Sequence, residues 1–366
     1  MKKRRVVLLG ILLVTLMAAA SAVSATRRQN APRATVDLHT EPAAGAIIPD
    51  ETLVQTHLRV LDANGQPVPG AQIALHLDTP PRPKILTTDF PYVEGTTLLE
   101  FAVDTSNGEM QFETIYPIRG IYTFETHVTL PDGTALDAAP KLSVAENPAE
   151  ARNFLLFAAI LLGFGLLSGL VIGRGYRAAL PLALVTALWF VSSVTYAHGP
   201  DEHDAPGRTR PITVTNTEGS LHAVLTVAPG SGRVGTLNTI KVRLINPNGT
   251  PTDGEVTLQI WQLEDEIPMY TFHLPVLRGE AGLQVQFFDG AKHDIRVEAR
   301  SADGRTTTVH TPIAVESFSP PLELKMRVAG LLVSVVALGL FVGLWLGTRS
   351  RPFFGSRVLP EHRLTW

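Results

Sequence analysis

Cysteine is absent from the 366-residue chain. Disulfides, thiolate metal centres and cysteine nucleophiles are therefore excluded. Charge is sparse: Asp, Glu, Lys and Arg make up 18% of residues against 45% hydrophobic, and the formal net charge is −3. Without a basic excess there is nothing to hold a polyanion, so nucleic acid is not an expected partner. Catalytic motifs are missing too. The chain has no G-x-S-x-G, no H-E-x-x-H, no P-loop and no G-x-G-x-x-G ahead of a helix. Its carboxylates are scattered along strands and turns, "LEDEIP" (263–268) being the densest loop. No enzymatic activity is expected.

Long apolar runs, by contrast, are plentiful. The N-terminus opens with Lys2, Lys3, Arg4 and Arg5, continues apolar, and reaches small residues at Val23-Ser24-Ala25. That pattern reads as a signal peptide over 1–25. Three further runs follow, Phe154 to Ile172, Ala178 to Ala197 and Val328 to Gly347, none holding a charged residue. Each is close to the ~20 residues that cross a hydrocarbon core. Transmembrane helices are expected over 153–173, 178–197 and 327–347. Only "GRGYR" separates the first two, which requires a tight antiparallel hairpin. Arg174 and Arg177, then Arg349, Arg351 and Arg357, fall on the side of the N-terminal cluster, against a mild counter-signal from Lys325 and Arg327. By the positive-inside rule, segments 26–152 and 198–326 face outward and 348–366 is a cytoplasmic tail. The expected setting is a bacterial-type cytoplasmic membrane. Ionisable residues often mark transport paths inside a membrane, and these runs contain none, which argues against transport by this chain alone.

Both outward segments alternate apolar and polar residues. "TLVQTHLRVLD" places Val54, Leu58 and Val60 on one face and Gln55, His57 and Arg59 on the other. "GIYTFETHVTL" alternates Tyr122, Phe124, Thr126 and Val128 against Thr123, Glu125 and His127. Gly/Pro-rich turns break the runs, as in an antiparallel sandwich. The predicted fold class is mainly β with membrane helices: two Ig-like β-sandwiches, a signal peptide and three transmembrane helices. The halves also match each other. N-G-x-P-x-x-G occurs at Asn64 to Gly70 and at Asn248 to Gly254, each time between two strands. Gly165, Gly169 and Gly173 are spaced by four, and so are Gly339, Gly343 and Gly347. The chain reads as a tandem duplication, and the two stripes as helix-packing surfaces, within the chain or between chains.

One segment carries a hint of metal chemistry. "AHGPDEHDAP" follows the third apolar run and packs His198, Asp201, Glu202, His203 and Asp204 together. If the run ahead of it were a second cleaved leader, His198 would offer an amine and an imidazole to one ion, suiting Cu(II). Without cleavage the imidazoles and carboxylates would still offer a loose site for a divalent metal. The plain alternative is a solvated linker. His198-Gly199 after an apolar leader, with the N-G-x-P-x-x-G hairpin in a small sandwich, resembles the CopC-type and YtkA-like outward β-sandwich domains. That resemblance implies copper or divalent-metal handling. The chain departs from it in having only five methionines, of which Met110, Met269 and Met326 lie outward. His57, His76 and His127 could cluster if their strands are neighbours. The remaining histidines, including His293 beside Asp294 in "FFDGAKHD", read as separate surface residues. The function expected from sequence is a membrane-anchored, non-enzymatic binding or accessory protein. Its partner would be a protein, met through the sandwiches or the glycine-striped helices. The alternative is an outward metal chaperone using residues 198–204.

Overall fold

The structure, a computed structural model, describes residues 34–83, 90–174, 210–217, 219–316 and 322–349. The signal peptide, the third apolar run (178–197) and the His198–Asp204 segment lie outside the described residues.

The first repeat folds as β1 (Ala34–Glu41), β2 (Leu53–Asp62), β3 (Gln72–Asp78), β4 (Thr97–Asp104), β5 (Glu109–Ile115), β6 (Gly120–Thr129), β7 (Ala135–Ala138) and β8 (Lys141–Val144), then helix α1 (Pro148–Gly173). The second comprises β9 (Ile212–Asn216), β10 (His222–Ala228), β11 (Gly232–Arg233), β12 (Leu237–Ile245), β13 (Gly254–Gln262), β14 (Ile267–Val276), β15 (Glu280–Gln286), β16 (Lys292–Ser301) and β17 (Thr306–Glu316), then helix α2 (Leu322–Arg349). The alternation seen in sequence is the burial pattern. In β2, Val54, Leu58 and Val60 are fully buried while their neighbours are half-exposed.

The repeated N-G-x-P-x-x-G forms the same turn twice. Gly65 and Gly249 sit at φ 78° and 84°, where a side chain would strain the backbone. Asp62 N–H donates to Gln66 C=O and Asn246 N–H to Thr250 C=O, each at 2.8 Å. Strands β2 and β3 therefore correspond to β12 and β13, and the order of elements carries the match onward to β4/β14, β5/β15 and β6/β16.

The sequence leaves open whether the two sandwiches touch. They do not stand apart as two bodies. One sheet runs β1-β2-β5-β14-β13-β16-β17-β11 and the other β7-β6-β3-β4-β15-β12-β10-β9, with β8 also on β6. Strand β5 pairs antiparallel with β14, through Phe112↔Phe272, and β4 pairs with β15, through Phe101↔Leu283. The same pair of elements thus meets twice, once in each sheet, as a two-fold relation between repeats requires. Each hairpin would otherwise expose a free edge above buried aromatics. Between the sheets Phe101 lies 5.7 Å from Phe112 and 5.5 Å from Phe272, ring centre to ring centre, both edge to face. The Gln286 amide donates to the Thr96 hydroxyl across the join at 2.9 Å. One apolar core fills both repeats.

Two of the three expected membrane helices fall among the described residues, and both are long and apolar enough to cross a membrane. They begin earlier than the apolar runs. The Asn147 side chain caps α1 by accepting from Ala149 N–H at 2.9 Å, and Pro148 opens the first turn, where a missing N–H costs nothing. The Asn147 amide also donates to Glu51 at 2.8 Å, tying the helix start to the β1–β2 loop. Along the helices Leu155, Leu167, Val333 and Phe341 are exposed, whereas Gly165, Gly169, Gly173, Gly339, Gly343 and Gly347 are buried. The stripes face each other. A Cβ on Gly165 would strike Val336 O, one on Gly169 would strike Leu340 O, and one on Gly173 would sit 3.0 Å from Gly347 Cα. Contacts that advance together along both helices mean that the two run parallel and in register.

Candidate functional site

The two-sheet join creates a surface that neither repeat has alone. On the outer face of the second sheet, register brings Ala74 opposite Ala102, and places Gly282 opposite Lys241 one strand beyond the join. Small residues on adjacent strands leave a trough. Its walls are longer side chains: His127 and Asp137 at one end, Lys241 at the other, and the row Glu125, His76, Glu100, Gln284 and Thr239 alongside. The cleft measures about 780 Å³, within the range of small-ligand or peptide-side-chain sites.

Its polar groups are already organised. His127 Nδ1 lies 2.6 Å from Asp137 Oδ1. His76 is flanked on both ring nitrogens, with Nε2 at 3.1 Å from Asp78 and Nδ1 at 3.6 Å from Glu100. The Thr97 hydroxyl contacts His76 Nε2 at 3.1 Å and donates to Asp78 at 3.1 Å. Glu100, Glu125 and Asp137 outnumber Lys241, so the lining is acidic. These carboxylates are solvent-facing acceptors on an open sheet. The arrangement suits recognition of donors and cations.

Of the three histidines weighed for a cluster, His76 and His127 do share the cleft, on adjacent strands β3 and β6. His57 does not, because β2 went to the other sheet. There it sits 2.5 Å from Glu109, with Arg59 at 3.4 Å from the same carboxylate and the His39 ring 6.1 Å away. Burial pushes the Glu109 carboxyl up, but the hydrogen bond from His57 and the Arg59 charge outweigh it and hold it below its usual range. His273 contacts Thr257 at 3.1 Å and His310 contacts Asp294 at 3.3 Å, both apart from the cleft. The expected metal ligands His198, Asp201, Glu202 and His203 lie outside the described residues. Among the described residues, no group of three or more His, Asp or Glu side chains is placed to hold a metal ion.

His293, expected at the surface, is fully buried. The chain reverses at Asp289-Gly290, and β16 then directs the ring inward against Phe287, 5.0 Å away. His293 Nδ1 contacts Ala291 C=O at 3.1 Å, and Nε2 lies 3.0 Å from Met269 Sδ. Met269 reaches it from a β-bulge, since Ile260 pairs with Tyr270 but Trp261 pairs with Pro268. Burial lowers the His293 pKa to about 4. In the unfolded chain it protonates near 6.5. Between those values the unfolded state binds the extra proton, so stability present above pH 6.5 is lost as pH falls toward 4. The full loss is on the order of 3 kcal/mol. Denaturant midpoints at pH 7.5 and 5 should show the fall, and His293→Leu should flatten it.

No model of a known protein family matches the chain, and no curated protein sequence matches it. Solved structures similar to it include the adhesin InvE of Yersinia pseudotuberculosis, at 11% identity over 76% of this chain and 58% of that one, TM-score 0.19. Trypsin-activated alpha-2-macroglobulin from Escherichia coli matches at 9% identity over 79% and 17%, TM-score 0.23. Invasin, described as a bacterial integrin-binding protein, matches at 9% over 77% and 39%, TM-score 0.19. The chain spans between 17% and 58% of the length of these three structures. Scores this low carry nothing about function.

Proposed function

We propose that this chain is a membrane-anchored, non-enzymatic binding or accessory protein. It holds one fused β-sandwich body outside the cytoplasmic membrane and presents the cleft at the join to a protein partner. The observation that carries this reading is the cleft itself: its floor and walls come from both repeats, and its acidic and histidine side chains are aimed at solvent. The parallel glycine-packed helices would seat the body on the membrane with both repeats on one side, in agreement with the lysine and arginine distribution.

Photo-crosslinking residues at Ala102 or Gln284, inside the cleft, should yield a discrete partner adduct in membranes, whereas one at Asn248, in the distal turn, should not. Equal adducts from all three positions would sink the reading. The cysteine-free background allows a clean topology test as well. A single cysteine at Asn248 should react with an impermeant maleimide on intact cells, and one at Ser356 only after permeabilisation. A metal-handling role rests on His198 to Asp204 alone. Cu(II) titration of the chain against His198→Ala with His203→Ala tests it, and equal binding by both would dismiss it.

A further inference from the structure

The buried ring of His293 faces one acceptor too many. A neutral imidazole carries a single N–H. Burial keeps this ring neutral, with its pKa lowered to about 4. Both ring nitrogens nonetheless meet acceptors, Nδ1 the Ala291 C=O at 3.1 Å and Nε2 the Met269 Sδ at 3.0 Å. Whichever nitrogen holds the proton, the other turns a lone pair toward a second lone pair. A carbonyl accepts strongly and a thioether only weakly. The proton therefore belongs on Nδ1, and the free Nε2 lone pair faces sulfur. His293 and Met269 are 0% and 2% exposed, so neither atom can turn to water.

The first repeat has no such conflict. The turn after β6 recurs after β16, with Gly133 N–H donating to Leu130 C=O and Gly304 N–H to Ser301 C=O. Counted back from these turns, Tyr122 holds the place of His293. Its hydroxyl donates to Ile118 C=O at 2.7 Å and accepts from Ile118 N–H at 3.0 Å, so it is satisfied. In the second repeat a further acceptor adjoins the pair. Gln262 stands directly opposite His293 across β13 and β16, both facing the core. Its amide donates to Asp289, which leaves Oε1 buried and unpartnered among the described residues. The half-buried Asp289 adds a negative charge that acts on the ring.

We propose that His293 Nε2 and Met269 Sδ are ligands of one soft monovalent metal ion, Cu(I) or its congener Ag(I), with Gln262 Oε1 as the neighbouring oxygen donor. A cation between nitrogen and sulfur turns the lone-pair conflict into two bonds. Thioether sulfur selects soft ions over Mg2+ and Ca2+. All three donors are neutral, so a monovalent ion leaves the smallest buried charge. Bonds of about 2.0 Å to nitrogen and 2.3 Å to sulfur need the two atoms to part by about 1 Å. The three rotatable bonds of methionine allow that. The ion would be a resident of the core, not cargo. The site stands or falls apart from both the cleft and residues 198–204.

The experiment uses the full chain in detergent, carrying His198→Ala and His203→Ala so that the 198–204 segment contributes no imidazole. Cu(I), kept reduced and free of oxygen, is titrated against a chromogenic Cu(I) chelator. The loaded protein is then measured by X-ray absorption at the copper edge. One equivalent should be retained, with a sulfur neighbour at about 2.3 Å. The chain has no cysteine, so that sulfur can only be methionine. Met269→Leu conserves volume. It should remove the sulfur neighbour and weaken retention by about a hundredfold or more, since even the outer partners of metal ligands are worth roughly 10–100-fold. His293→Leu should weaken it as much, and Met326→Leu, on the exposed start of α2, should leave both readings unchanged. The sulfur neighbour is read on the parent itself, so the test does not depend on any variant folding. The proposal is overturned if the parent retains no Cu(I), if bound copper has only nitrogen and oxygen neighbours, or if Met269→Leu retains copper like the parent.

Discussion

Phe272→Ala is expected to destabilise both repeats together, by about 3–5 kcal/mol. Phe272 is fully buried and stands in the short β5–β14 pairing, directly opposite Phe112. Its ring meets Phe101 at 5.5 Å, Phe112 at 6.2 Å and Tyr270 at 5.9 Å. Phe101 and Phe112 belong to the first repeat and Phe272 and Tyr270 to the second, so the cavity would open on the join itself. Two independent sandwiches would register the loss in the second repeat alone. A single cooperative body transmits it to both. The measurement is amide exchange at Leu75 in β3 and Val297 in β16, one core position from each repeat. Equal loss of protection at the two is the expected result, and loss confined to Val297 would show that the repeats fold separately. Phe272→Leu keeps most of the volume and should cost a fraction as much.

Gly343→Leu should drive the membrane helices apart. A Cβ at Gly343 would meet Leu166 O and would lie 2.9 Å from Gly169 Cα, so the obstruction is backbone and cannot rotate aside. Helix association in lipid has little hydrophobic drive, and depends on close backbone approach along such stripes. The readout uses the absence of cysteine. Gly173 and Gly347 are near enough that a Cβ on either would be 3.0 Å from the other's Cα. Cysteines at both positions should form an intramolecular disulfide under mild oxidation, counted by loss of maleimide labelling. Adding Gly343→Leu should cut the disulfide yield by roughly tenfold, the consequence of about 1.4 kcal/mol against the closed pair. A disulfide that instead links two chains, or that survives Gly343→Leu unchanged, would remove the stripes from the role of intrachain contact.

Local features were legible in the sequence because each depends on a short spacing. A strand shows its buried face at every second residue, as in Val54, Leu58 and Val60. A helix that packs closely in lipid shows small residues one turn apart, as in Gly165, Gly169 and Gly173. A tight turn needs positive φ, and Asn-Gly at 64–65 and 248–249 announces it twice. The tandem repeat follows from comparing such features. Tertiary structure decided what depends on partners distant in the chain. Register across β3, β4, β15 and β12 made a cleft from alanines and a glycine that are unremarkable singly. The sheet to which β2 was assigned separated His57 from His76 and His127. A bulge at Met269 and a reversal at Asp289-Gly290 buried His293, which reads as a surface residue from its polar neighbours. The merging of the repeats is the plainest case. Alternation in β4, β5, β14 and β15 states only that one face is buried, while the edge-to-edge hydrogen bonds that join two sandwiches into one leave no mark on side-chain identity.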